Sequence, residues 1–301
     1  MKLLDTIAFF GLAALWGASF LFIRIAAPVF GPLLTIQGRV TIAAAALIIF
    51  LIITRRSAHI KQRWKQYLII GTLNAAIPFT LIATAELTLP ASMSAILNSL
   101  TPLFTALVVW GWMREELNIR KWFGIVVGVI GVCILVGWSS LPFTSKTIVA
   151  IGLSVLSTIS YGFAGVYAKK AFAGVPPLAL ATGQQAGAAV ILLPFTLMQL
   201  PNSTDHISTV AILSVVGLAL FCTAIAYLLY FYLIESVGPT KTLSVTFLIP
   251  VFGIIWGMIF LHEKLTIGML LGLIIILGSV FLISDVQLRM KALGKEAGSK
   301  Q

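Results

Sequence analysis

Charge is scarce in this chain. Asp, Glu, Lys and Arg make up 10% of 301 residues, and only nine of them are acidic. A soluble domain carries about 25% charged residues, so a water-exposed surface of ordinary composition is excluded. Histidine occurs three times, at His59, His206 and His262, all in loops or at the ends of apolar runs, and no H-E-x-x-H is present. Asp5, Asp205 and Asp285 also lie at run edges. An intramembrane enzyme would need a buried nucleophile with its base, or metal ligands at fixed spacing, and neither is found. The two cysteines, Cys133 and Cys222, fall inside apolar runs and read as small core residues. No G-x-x-x-x-G-K-[ST] loop occurs, so the chain has no phosphate-binding element of its own. Neither a cofactor nor a metal is expected.

What the chain has is apolar sequence, 59% of all residues, with a mean hydropathy of +1.07. It comes in ten runs, near residues 5–27, 33–54, 67–87, 91–113, 119–137, 147–168, 178–200, 209–233, 239–261 and 267–284. Each is long enough to cross a hydrocarbon core of about 30 Å as a helix. The runs are continuous, without the alternation of barrel strands, which selects helices. The expected fold class is an all-α integral membrane protein with ten transmembrane helices. The first run shows no small-residue cleavage pattern and is expected to be the first helix, not a signal peptide.

The net charge of +11 follows from topology. With the N-terminus in the cytosol, sixteen of the twenty Lys and Arg residues fall in cytosolic segments, and only Lys146 and Lys264 lie outside. This bias predicts cytosolic N- and C-termini. The basic segments would meet anionic membrane lipid, and no nucleic-acid role is expected.

The two halves repeat. At an offset of 145, "LWGASFLFIR" falls on "SYGFAGVYAK", pairing Gly17 with Gly162 and Arg24 with Lys169. At an offset of 148, Pro102 meets Pro250 and "REELNI" meets "HEKLTI". Five spans per unit is an odd number, so the second unit is expected to cross the membrane inverted. Inverted repeats around a midplane site are an architecture of secondary transporters. The expected units are residues 5–138 and 147–285, followed by a cytosolic basic tail, residues 286–301.

The residues that carry a family likeness are Leu15, Trp16, Gly17, Ser19 and Phe20, then Pro32 and Arg39, the segments "LTPLFTAL" and "LIPVFGIIWG", and the E-x-L turns at Glu115 and Glu263. In order and doubling they resemble the drug/metabolite transporter superfamily, EamA type, over nearly the whole chain. The resemblance implies an exporter or facilitator of small organic solutes, multi-pass in the plasma membrane (the inner membrane of a bacterium). It also implies a central cavity lined mainly by helices 1, 3, 4, 6, 8 and 9. A channel-like or sensory protein is the alternative function, and an intramembrane enzyme a more distant one.

Candidate substrate-binding residues follow. Pro102 and Pro250 sit at the midpoints of their runs, and each removes a helical hydrogen bond, freeing the carbonyls of Asn98 and Thr246; Thr101 belongs to the same break. Matching breaks in two repeats point to a substrate site. Trp16, Phe20, Phe79, Tyr161, Tyr167, Tyr227 and Tyr230 form an expected aromatic wall suited to amphipathic or cationic solutes, with Asn74 a polar candidate. Charges inside spans are costly, so Arg24, Arg39 and Glu86 are read as an outer gating latch, and Lys169, Glu235 and Lys241 as an inner one. Gln184 and Gln185 stand where Arg39 falls in the other repeat. The glycine stripes "GIVVGVIG" and "GMLLGL" are open to close helix packing or to a homodimer contact.

Overall fold

Gly31 and Pro32 set the first turn. Gly31 has φ +77°, a conformation that costs glycine nothing, and Pro32 opens the next helix at a position whose N–H would be unpaired in any case. A single residue therefore joins α1 (Leu3–Phe30) to α2 (Pro32–Ile53). The computed structural model describes residues 2–56, 60–139, 141–199 and 207–283, and every regular element among them is helical. The expected tail, residues 286–301, and His59, Asp205, His206 and Asp285 lie outside the described residues.

The third segment is α3 (Ile60–Gly71), a π-helical turn over Thr72–Ala76, and α4 (Ile77–Ala85). The fourth is α5 (Ala91–Asn98) and α6 (Thr101–Met113), followed by α7 (Ile119–Gly137), α8 (Ser145–Ala171) and α9 (Pro177–Leu197). The eighth repeats the third: α10 (Thr209–Ala219), a π-helical turn over Leu220–Ile225, and α11 (Ala226–Val237). The ninth repeats the fourth: α12 (Pro239–Leu243), a 3₁₀ turn over Ser244–Phe247, and α13 (Ile249–Leu261), with α14 (Ile267–Ile283) last. The repeat extends to single dihedrals. α6 ends at Arg114 with φ +56°, and α13 ends at its counterpart His262 with φ +54°.

At the prolines the chain breaks; it does not kink. Pro102 and Pro250 sit in the first turn of α6 and α13, where proline's missing N–H is harmless. The carbonyl of Asn98, expected to be free, accepts the Thr101 hydroxyl at 2.7 Å, and Ser99 donates to the Ile96 carbonyl at 2.5 Å. The second break is closed likewise, Ser244 donating to Lys241 at 2.6 Å and Thr246 to Leu243 at 2.8 Å. Short hydroxyl side chains replace the water that a bilayer does not supply.

Among the described residues nine helices are long and apolar enough to cross a membrane, and Ile267–Ile283 is a shorter apolar one. Large apolar side chains such as Ile52, Phe123 and Ile130 are exposed on the outside, while Gln184, Arg39 and Glu86 are buried. Glycine brings helices together from within the chain. Gly124, Gly128 and Gly131 of α7 face Ser279, Ile276 and Ile283 of α14, so both glycine stripes pack intramolecularly. On α9, a Cβ at Gly187 would stand 2.2 Å from the Tyr67 carbonyl oxygen of α3.

That backbone approach gives a test. Gly187→Ala should lower unfolding free energy by about 1–3 kcal/mol or more through overpacking. Gly152→Ala, whose Cβ meets nothing within 4 Å, should leave stability unchanged or slightly raised. Thermal unfolding in detergent micelles separates the two, and equal midpoints would contradict the α3–α9 contact.

Candidate functional site

Trp16, Phe20 and Ile23 recur at helical spacing on α1 and so share one face. That face lines a cavity of ≈ 600 Å³, within the usual range of small-molecule sites. Asn74 comes from the first π-helical turn, Phe79 and Ile82 from α4, and Tyr161 from α8. Cys222 comes from the second π-helical turn, and Tyr227 and Tyr230, three residues apart on α11, present one face. Both helix breaks reach the lining through Asn98, Thr101, Pro102, Thr246 and Pro250.

The aromatic rings pack on one another as well as on the cavity. Trp16 meets Tyr230 at 5.6 Å and Tyr227 at 6.5 Å between centroids, and Phe79 meets Tyr161 at 6.4 Å. A chain of neutral polar groups crosses between the repeats: the Asn74 amide donates to Gln184 Oε1 at 2.9 Å, and the Gln184 amide donates to the Tyr227 hydroxyl. Arg39, reaching in from α2, is 5% exposed. Its Nε donates to Thr223 Oγ1 at 3.0 Å, and its guanidinium carbon stands 3.7 Å from the Phe79 ring centroid.

Tyr167 is not on the lining. Its ring packs 6.2 Å from Phe172 instead. Of the six charges read as latches, only Arg39 lines the cavity. Arg24 donates to the backbone carbonyl of Glu86, whose fully buried carboxylate oxygens have no hydrogen-bond partner among the described residues. No ion pair within 4.0 Å joins Arg24, Arg39 and Glu86. At the basic end Lys169 pairs with Glu115 at 3.7 Å on an exposed surface. Glu235 lines a small surface recess beside Arg56, and Lys241 is exposed. In this conformation Lys169, Glu235 and Lys241 make no ion pair with one another.

Two functional candidates were not singled out as gates or ligands in the sequence. Gln184 stood there only as the neutral counterpart of Arg39, yet it bridges Asn74 and Tyr227. Glu263 stood only as half of a repeated E-x-L turn. Its carboxylate accepts from Ala91 N at 2.7 Å, Ser92 N at 3.0 Å and Ser92 Oγ at 2.5 Å, so one repeat caps a helix of the other. An anion there meets both the unpaired N–H groups and the positive end of the helix dipole. The repeated glutamate was the available signal.

This bundle has relatives. The chain is 27% identical over 282 residues to the uncharacterized transporter YvbV of Bacillus subtilis, covering 93% of this chain and 92% of the relative. It is 25% identical to protein PecM of Dickeya dadantii (96% and 94% covered) and 27% identical to the uncharacterized inner membrane transporter YedA of Escherichia coli K12 (83% and 80%). A solved crystal structure shares the fold with a TM-score of 0.66 at 18% identity, covering 96% of this chain and 99% of the other. The profile of the EamA-like transporter family matches twice, over residues 5–137 and 148–285. Matched over both repeats, the chain belongs to the EamA-like transporter family.

Proposed function

We propose that the chain is a secondary transporter of small organic metabolites or drugs, an exporter or facilitator working by alternating access in the plasma membrane. In this reading ten helices cross the bilayer, α14 supplying the tenth. The two five-helix repeats enter from opposite sides, and both termini lie in the cytosol. The observation that carries the reading is the difference between the two ends of the cavity. Its lining extends to Val175, Pro177 and Leu243 at the basic end, and takes in none of the connections at the other. At that other end Glu263 ties the second repeat to the N-terminus of α5. The lysine and arginine bias makes the basic end cytosolic. A central site reached from one side only is what alternating access requires of each of its states. Without a phosphate-binding loop, the work comes from the gradient of the substrate or of a coupled ion.

Transport itself is tested by a metabolite and toxic-analogue screen in cells with and without the protein, followed by flux into proteoliposomes with and without a pH gradient. Protein-dependent movement of at least one organic solute is expected. A flat response across acids, amines, amino acids, nucleosides and dyes would sink the reading.

The closed end makes a second prediction. In a background with Cys133 and Cys222 replaced, Ile82→Cys places a thiol on the lining, and a membrane-impermeant maleimide should label it from the cytosolic face. Adding Glu263→Gln weakens bonds worth about 1.5–3 kcal/mol each to a charged acceptor. A change of about 1.4 kcal/mol shifts a two-state population about tenfold, so external labelling should rise by at least that factor. Unchanged labelling from outside would show that Glu263 does not hold the end shut.

A further inference from the structure

The cavity contains aromatic rings, amides and hydroxyls from both repeats, yet among its lining residues Arg39 is the only charged side chain. It is also incompletely satisfied. Phe79 covers one face of the guanidinium and Thr223 takes Nε, but its two terminal nitrogens have no acceptor among the described residues. No carboxylate comes within 4.0 Å of it, and Glu86, buried near enough to feel its charge, does not line the cavity. A charge held in a membrane interior is costly and ordinarily paired. The unfilled edge of a planar guanidinium is a two-pronged donor that matches a carboxylate.

We infer that the cavity takes small organic monoanions, a carboxylate on Arg39 and an aromatic or branched apolar body against Trp16, Phe20 and Tyr230. This assignment rests on the transporter reading and adds the substrate class to it. It revises the expectation of cationic solutes. A ring face that would attract a cation, Phe79, is already occupied by Arg39, and the lining offers no anion to a positively charged ligand. One net positive charge answers one negative charge, which favours monocarboxylates over phosphate esters. At the basic end, Arg56, Arg63, Arg114, Lys169, Lys170 and Lys241 outnumber Glu115, Glu116 and Glu235, a field that concentrates anions on that side. Arg63 is fastened there by a 3.1 Å bond to the Ala171 carbonyl.

The test uses the full chain in lipid nanodiscs and three probe acids, 3-phenylpropionate, 3-indolepropionate and 4-methylpentanoate. Each is compared with the corresponding amine, alcohol and amino acid. Thermal stabilisation by at least one acid, exceeding that of its counterparts, is expected. Arg39→Gln should weaken acid binding about tenfold or more, and Arg39→Lys, which keeps the charge but loses the fork, should fall between. Should Arg39→Gln fail to fold, Gln184→Glu brings the lining to neutrality and should lower acid affinity in the same direction. Stabilisation by amines or amino acids above the acids, acid binding unaffected by Arg39→Gln or Gln184→Glu, or no stabilisation by any acid overturns the assignment. Tracer flux in proteoliposomes separates the two readings. Acid binding without flux removes transport and leaves the ligand class standing, while flux of amines indifferent to Arg39 keeps transport and overturns the class.

Discussion

A helix that stops inside or at the edge of an apolar slab leaves terminal N–H and C=O groups with no water to answer them. That constraint governs this molecule, because α5, α6, α12 and α13 all start or stop along spans that an unbroken helix could have crossed. Every break is met by a nearby side chain. Ser99 and Thr101 close the C-terminal end of α5, Ser244 and Thr246 serve the second repeat, and the Glu263 carboxylate meets the N-terminal end of α5 from across the repeat boundary. Because the local hydroxyls satisfy their own turns, the breaks shape the cavity mainly by turning side chains into it.

The backbone of the two repeats agrees more closely than their chemistry does. Paired π-helical turns and paired left-handed ends at Arg114 and His262 show that the same local geometry was used twice. The charge on the cavity was not duplicated. Arg39 corresponds to Gln184, and one supplies a fixed cation while the other supplies a neutral bridge between Asn74 and Tyr227. Glu263 caps a helix, whereas its counterpart Glu115 pairs with Lys169 at the surface. For the ligand proposed above, a single charge on one side of the chamber would set one preferred orientation. The differing glutamates mark the two ends as being in different conditions.

Much of this was legible in the sequence because membrane spans are set by length and hydropathy alone. The first run, read as residues 5–27, is α1 over Leu3–Phe30, and the run 91–113 coincides with the span Ala91–Met113. Residues on the cavity were legible where helical spacing extended a stripe, as with Trp16, Phe20 and Ile23. Tyr167 falls off that lining for the same reason: six residues from Tyr161, it lies about 120° around α8 and packs on Phe172. The Asn98 carbonyl was misjudged because a proline reports a missing donor, and cannot report that a hydroxyl one residue before it supplies another. Glu263 escaped because its partners, Ala91 and Ser92, are more than 170 residues away and pair with it largely through backbone N–H groups, which have no sequence signature.

The one-residue link at Gly31 has a mechanical consequence. With one residue between α1 and α2, the facing ends of the two helices stay together at Gly31 whatever the tilt of either. Trp16 and Phe20 on one arm and Arg39 on the other thus belong to a jaw with its vertex at Gly31. The opposing surfaces, from α8 and α11, belong to the other repeat. In the transport cycle proposed above, that vertex would keep the charge and the ring wall on one hinged pair of helices.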